Sequence, residues 1–307
     1  MIRKHTRRAA KAAFAVALGV AIILGGTVAA ATAGESRSQA TPLIIGTKNF
    51  PEQYILGQLY KQALEAKGFK VAGYKENIGS TELIDTALRS GKVTIYPEYI
   101  GVILSVTFGR KTTPKTAAAT YALANRLYAT KGFALARQTP FEDKDVLAVL
   151  NKTATQYGLG SIADLKKVPN LSIAGFPEFK TRRTGQLATL YGVTSFKFVP
   201  LASISAYTLL DKGQVLSADV FTTDPALGSG KYTQLKDPKN MFGFQHVAPV
   251  YNKKLAAELG PKFAATLNGV SAKLTTKAMI AMNTAVIVNK KSAKSVAASF
   301  LKANGLT

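Results

Sequence analysis

Four short segments concentrate the residues able to do chemistry: Thr47-Lys48-Asn49-Phe50, Tyr96-Pro97-Glu98-Tyr99-Ile100-Gly101, Glu178-Phe179-Lys180-Thr181-Arg182 and Phe221-Thr222-Thr223-Asp224. Each follows a short apolar run, the place where loops and helix N-termini of an open α/β sheet converge on small-molecule sites. They carry aromatics, cations and acids, but no nucleophile paired with a histidine, so an enzyme reading lacks its base. The chain has only His5 and His246 and no cysteine. Disulfides, thiolate nucleophiles, Cys-ligated clusters and a His-rich metal site are thereby excluded.

Strand and helix alternation must position those segments. Leu43-Ile44-Ile45 reads as a strand, after which Ile55, Leu56, Leu59, Tyr60, Ala63 and Leu64 recur at helical spacing until Gly68. Strands over Phe69–Tyr74 and Val93–Tyr96 flank a helix over Thr81–Ser90, followed by a helix over Thr116–Lys131 and a strand over Val146–Leu150. The alternation then restarts with helix Ile162–Lys166, strand Leu171–Ala174, helix Thr184–Tyr191, strand Phe196–Val199, helix Ser203–Lys212 and strand Ala218–Phe221. The tail is helical over Lys253–Leu259, Lys262–Ser271, Thr275–Asn283 and Ser292–Ala303. Strands separated by helices of this length predict parallel pairing, and two successive units predict two lobes.

With 307 residues, 47% of them apolar, the chain can bury one large core or two smaller ones, which excludes wholesale disorder. Residues 1–33 stand apart from that fold. Arg3, Lys4, Arg7, Arg8 and Lys11 precede the uncharged run Ala12–Leu24, and Ala31-Thr32-Ala33 supplies the small residues of a cleavage site. An exported chain cleaved after Ala33 is expected, acting in a periplasm or at the outer face of the cytoplasmic membrane. The alternative is an uncleaved anchor, since the uncharged stretch approaches the roughly 20 residues that span a bilayer. Residues 34–41 read as a linker. Residues 34–307 hold 35 basic and 17 acidic groups, a net +18. Their lysines are scattered rather than striped with aromatics, and export removes nucleic acid as a partner. The charge therefore predicts a solvated basic surface, or contact with anionic lipids or cell-wall polymers.

Several phrases resemble one family in register: Gly46-Thr47-Lys48-Asn49-Phe50-Pro51-Glu52-Gln53, Tyr96–Gly101, Glu178-Phe179 through Arg182, Thr222-Thr223-Asp224, Met279-Ile280-Ala281-Met282-Asn283 and Val296–Leu301. Over Leu43–Leu306 the chain resembles the osmoprotectant-binding proteins of ABC importers, the glycine betaine, choline and proline betaine receptors. The resemblance implies a two-lobed α/β architecture of the type II periplasmic-binding-protein class, a Venus flytrap with two hinge crossings. One lobe would comprise residues 42–142 and 246–307, the other residues 143–245. It implies a receptor that holds a quaternary ammonium or related zwitterion in the cleft and delivers it to a membrane permease, with no cofactor, no metal and no catalysis.

In that family the ammonium sits in a cage of rings and basic groups hold the solute's carboxylate. A trimethylammonium has no N–H to donate, so ring quadrupoles recognise it at ~0.5–2 kcal/mol each. The resemblance places Tyr99, Phe221 and Phe244 at cage positions, and Lys48 and Arg182 against the carboxylate. Asp145 stands where four-ring members carry tyrosine, and Val102 where a carboxylate-binding hydroxyl is usual. Three rings and an acid would tolerate ammonium groups that carry N–H donors. Taken from the residues alone, Tyr99, Phe221 and Phe244 read as core aromatics, Lys48 as either a solvated cation or a site residue after the first strand, Asp145 as either a polar strand start or a ligand contact, Asp224 as a cap or turn, and Glu98 as a partner for some lysine. The other readings are a receptor for an amino-acid betaine or ergothioneine-like solute on the same scaffold, an exported enzyme using Asp145, Glu98 or Asp224, and a structural wall protein.

Overall fold

The structure is a computed structural model that describes residues 40–201 and 205–307. The export segment, nearly all of the linker and the expected start of a helix at Ser203 lie outside the described residues.

The first sheet contains β1 (Leu43–Gly46), β2 (Val71–Lys75), β3 (Ile95–Tyr99), β4 (Phe133–Leu135) and β10 (Val247–Asn252), in the order β2-β1-β3-β10-β4. The second contains β5 (Asp145–Leu150), β6 (Ser172–Gly175), β7 (Lys197–Pro200), β8 (Ser217–Phe221) and β9 (Tyr232–Gln234), in the order β7-β6-β8-β5-β9. The chain thus leaves the first sheet after β4 and returns to it at β10. Pairing is parallel for β1 with β2 and β3, and for β6 with β7 and β8. It is antiparallel for β10 with β3 and β4, and for β5 with β8 and β9. The expectation of uniformly parallel sheets is corrected at these two strands. Each follows a crossing between lobes instead of a helical return on its own sheet, so the right-handed crossover that enforces parallel pairing does not apply to it.

Helices α1 (Pro51–Ala66), α8 (Lys253–Leu259), α9 (Pro261–Lys273), α10 (Thr276–Asn283) and α11 (Ala293–Ala303) cover one face of the first sheet. Ile45, Tyr99 and Val247 pack there against Ile55, Leu59, Phe263, Met279 and Leu301. Helices α2 (Thr81–Arg89), α3 (Ile100–Val102, continued by a π turn over Ile103–Thr107) and α4 (Ala117–Ala129) cover the other face, where Tyr96, Ala248 and Val250 meet Leu88, Ile103 and Tyr128. Alternate residues of β3 and β10 feed the two layers, as the period of a strand requires. In the second lobe, α5 (Asn151–Tyr157), a 3-10 turn over Ile162–Lys167 and α6 (Pro177–Tyr191) lie on one side, and α7 (Ala206–Asp211) on the other.

Proline placement was legible at one helix start, went unread at a second and hid a strand. Pro51 and Pro177 sit in the first turns of α1 and α6, where the missing N–H costs nothing and the fixed φ favours helix. Consequently α6 already begins at Pro177, and Lys180–Arg182 lie on a helix instead of the expected loop. Strand β10 went unread because Pro249 interrupts its pattern. Pro249 faces Pro97 across the ladder, so neither partner offers an N–H at that rung.

The crossings are tied together. A bridge joins Glu142 to His246, Asp143 N donates to Gln245 O at 3.2 Å, and Ile100 N donates to His246 O at 3.0 Å. Gly101 allows that approach, because a Cβ there would lie 2.7 Å from Phe244 O and 2.6 Å from the Gln245 side chain.

Candidate functional site

A cavity of about 900 Å³ lies between the two sheets, and Lys48, Tyr99, Asp145, Arg182, Phe221 and Phe244 all line it. Lys48 comes from the turn after β1, Tyr99 from the end of β3, and Phe244 from the returning crossing. Asp145 and Phe221 are direct cross-strand partners on β5 and β8, so the second sheet sets an acid beside a ring. Phe221 is 40% exposed, and its face is open to the cavity side of the fold.

Tyr99 and Lys48 are more committed to the protein than a bare cage would be. Lys48 Nζ lies 2.5 Å from Glu98 Oε1, in a pair whose side chains are 6% and 0% exposed. The same ammonium sits 4.5 Å from the Tyr99 ring centroid and 5.7 Å from that of Phe50, while the two rings stack 6.2 Å apart. Tyr99 is buried and its hydroxyl donates to Glu52 Oε1 at 2.9 Å. Glu98, read only as a partner for some lysine, is therefore the counter-ion of Lys48.

Arg183 and Arg182 divide their duties. Arg183 Nη2 lies 3.5 Å from Asp145 Oδ2, its Nη1 donates to Met241 O at 2.8 Å, and its guanidinium stacks 5.2 Å above the Phe242 ring. Arg182, exposed on the preceding position of α6, forms no ion pair among the described residues, although its charge reaches Asp145. Its planar fork is free to meet an anionic group of a solute.

The remaining wall is acidic. Glu52 receives Asn283 Nδ2 at 2.9 Å as well as the Tyr99 hydroxyl, and Asp143 Oδ1 receives Thr223 Oγ1 at 2.9 Å. Asn283 Nδ2 also reaches Thr223 O at 3.0 Å, which links α10 of the first lobe to the second. Burial pushes the Glu52 carboxyl up despite these donors. Burial, then the nearby Glu52 charge, pushes Asp143 well up. Asp145 is raised by burial against the opposing pull of Arg183, and Asp224 is raised by burial although Phe221 N and the Tyr207 hydroxyl donate to it. Asp224 thus closes a turn. At the crossing, burial opposes ionisation of Glu142, but His246 Nε2 at 3.0 Å and Lys144 Nζ at 3.1 Å outweigh it and hold the carboxyl at about 2.

Sequence reasoning assigned no role to Glu52, Asp143, Asn283, Arg183 or Phe242, although all five line the cavity. Glu52 and Asn283 stood inside quoted phrases, but 231 residues separate them and only the fold makes them partners. Among the described residues no group of three or more His, Asp or Glu side chains could hold a metal ion.

Behind the cavity, Asp219 on β8 is buried, and its Oδ1 has no partner among the described residues. Burial first, then the Asp145 charge, raises it from 3.8 to about 8. The folded protein therefore keeps a proton that the unfolded chain releases near 3.8. Stability from this group is whole below that value and is lost as pH rises towards about 8. Asp219→Asn, which copies the neutral form, should raise stability by roughly 1–3 kcal/mol at neutral pH and much less in acid. Thermal melts of both proteins across that range check this, and a gain that is larger in acid would refute it.

Two α/β lobes, two crossings and a mixed aromatic and charged cavity between them define a two-lobed periplasmic-binding-protein fold, the class of solute receptors. Residues 41–303 match the family described as "Substrate binding domain of ABC-type glycine betaine transport system", and the chain belongs to that family. It is 31% identical over 283 residues to a glycine-betaine-binding protein of Pseudomonas aeruginosa, covering 88% of this chain and 90% of that protein. It is 27% identical to an ergothioneine transport permease/ergothioneine binding protein, EgtU, of Helicobacter pylori, covering 86% of this chain and 48% of that protein. The solved structure of apo YehZ from Escherichia coli superposes with a TM-score of 0.73 at 27% identity, over 87% of this chain and all of that one.

Proposed function

We propose that this chain is an exported, non-catalytic receptor that captures a small quaternary ammonium or related zwitterionic solute between its lobes and presents it to an ABC permease. The observation that carries this reading is the convergence of Phe221, Phe244 and Tyr99 around one cavity with Arg182, which has no ion-pair partner among the described residues. Rings recognise a cation that has no N–H, while a guanidinium fork recognises a carboxylate, so the two ends of a betaine find separate partners. Among the described residues no histidine is paired with a nucleophile: the one described histidine, His246, is bonded to Glu142 and to Phe141 O.

A second reading is favoured by one feature, the acid pair Asp143 and Asp145 on the same wall. Acceptors of that kind suit a solute whose cationic part carries N–H groups, such as an amine, a guanidine or an ergothioneine-like ring. The lobe limits at residues 142/143 and 245/246 belong to the same proposal and are supported by the Glu142–His246 bridge between the two passages of the chain.

A thermal-shift screen of glycine betaine, proline betaine, choline, carnitine, ergothioneine and basic amino acids tests both readings, because a solute at a hundredfold excess over Kd adds about 2.7 kcal/mol. Asp145→Tyr then separates them. It should strengthen betaine binding and weaken any ligand that donates N–H groups. An unchanged order of preference would show that Asp145 does not read the solute, and no shift with any of these compounds would overturn the receptor assignment.

A further inference from the structure

The positive charge of this protein is unevenly placed. Residues 253–307, which form α8 to α11, contain nine lysines and a single acid, Glu258. All nine, Lys253, Lys254, Lys262, Lys273, Lys277, Lys290, Lys291, Lys294 and Lys302, are exposed. None of them forms an ion pair among the described residues. Glu258 is engaged by the backbone N–H and hydroxyl of Thr41 at 2.9 and 3.0 Å. The second lobe differs: residues 143–245 hold twelve basic and eight acidic groups, and Lys167 and Arg183 are paired there with Asp164 and Asp145.

These four helices share one side of the molecule, because their apolar residues enter a single cluster against one face of the first sheet. Their polar stripes therefore point away from that face together, and the lysines form the outer surface of the layer. An array of like charges left unpaired raises the energy of the isolated protein through self-repulsion, which a negatively charged partner relieves.

We propose that this outer helical layer is a docking surface for an anionic lipid bilayer. Screening limits surface charges to a reach of about 8 Å at physiological salt, so many separate lysines act together only on an extended partner that meets the layer broadside, as a bilayer does. The chain also enters the lobe here, since Thr41 is bonded to α8. The segment read as an export signal or anchor ends at Ala33, eight residues upstream of Thr41. The docking lies outside the solute cavity and holds whichever solute the receptor takes.

The test compares two full-length variants of equal net charge. One carries Lys262→Gln, Lys273→Gln, Lys277→Gln, Lys291→Gln and Lys294→Gln in the layer. The other carries Lys152→Gln, Lys166→Gln, Lys197→Gln, Lys212→Gln and Lys236→Gln, all exposed on the second lobe. Co-sedimentation is measured with phosphatidylcholine vesicles and with vesicles containing about one-third phosphatidylglycerol, at low and at high salt. The ratio of anionic to neutral binding is read for each; the N-terminal segment, with its five basic residues, is identical in both variants, so its contribution cancels between them. That ratio should fall at least about tenfold in the layer variant and less than about threefold in the second-lobe variant, with the difference erased by salt. Equal losses in both variants would mean attraction to net charge alone and would overturn the proposal. So would unchanged vesicle binding accompanied by a layer-specific loss on a soluble polyanion such as polyphosphate, which would make the partner a polymer. Circular dichroism of both variants confirms that they are folded.

Discussion

Lys48→Met and Glu98→Leu should each cost roughly 3–5 kcal/mol of folding stability, and the double replacement far less than their sum. The pair is almost wholly buried at 2.5 Å, and Glu98 Oε1 also receives Tyr99 N at 2.8 Å. Removing Lys48 leaves a carboxylate in the core with one amide donor, and its Oε2 already has no partner among the described residues. Removing Glu98 leaves an ammonium with the Tyr99 and Phe50 faces and the Thr81 hydroxyl at 3.4 Å, which together do not replace a counter-ion. Removing both leaves two apolar groups of similar length in an apolar setting. Urea titrations of the four proteins complete the cycle, and singles that cost under about 1 kcal/mol would show that the pair is hydrated. The same cycle decides whether Lys48 is available to a solute. If glycine betaine binding survives in the folded double variant, the carboxylate is held by Arg182 without Lys48.

The combined replacement Phe221→Ala and Phe244→Ala should weaken binding of a quaternary ammonium solute by roughly 2–4 kcal/mol, about 30- to 1,000-fold in Kd. Phe221 is 40% exposed, so its truncation removes a ring face with little loss of core. Phe244 is partly buried against the cluster of Ile103 and Tyr128, and Phe244→Tyr keeps that packing while retaining a face. Titration calorimetry of the alanine and tyrosine versions separates the two causes, since rings of either kind hold the cation but alanine does not. Full affinity in the double alanine variant would move the cation to another part of the cavity.

Much of this protein was legible before folding. The alternation of apolar runs and helical periods determined the α/β class, because burial of one face imposes the period of the element that carries it. The restart of the alternation pointed to a second lobe, and the phrases after strand ends hold residues that line the cavity, because strand termini are where backbone and side chains are left free to meet a solute. Only the tertiary structure decided which charges are already answered. Lys48 is bound to Glu98, fifty positions away, and Asp145 to Arg183, thirty-eight away, while Arg182 has no ion pair among the described residues. It also decided strand direction at the crossings and brought Glu52 to Asn283 across 231 residues. The physical reason is range: propensity, capping and periodicity act over a few neighbouring residues, whereas ion pairing and desolvation depend on distances that exist only once both sheets and their crossings have been assembled.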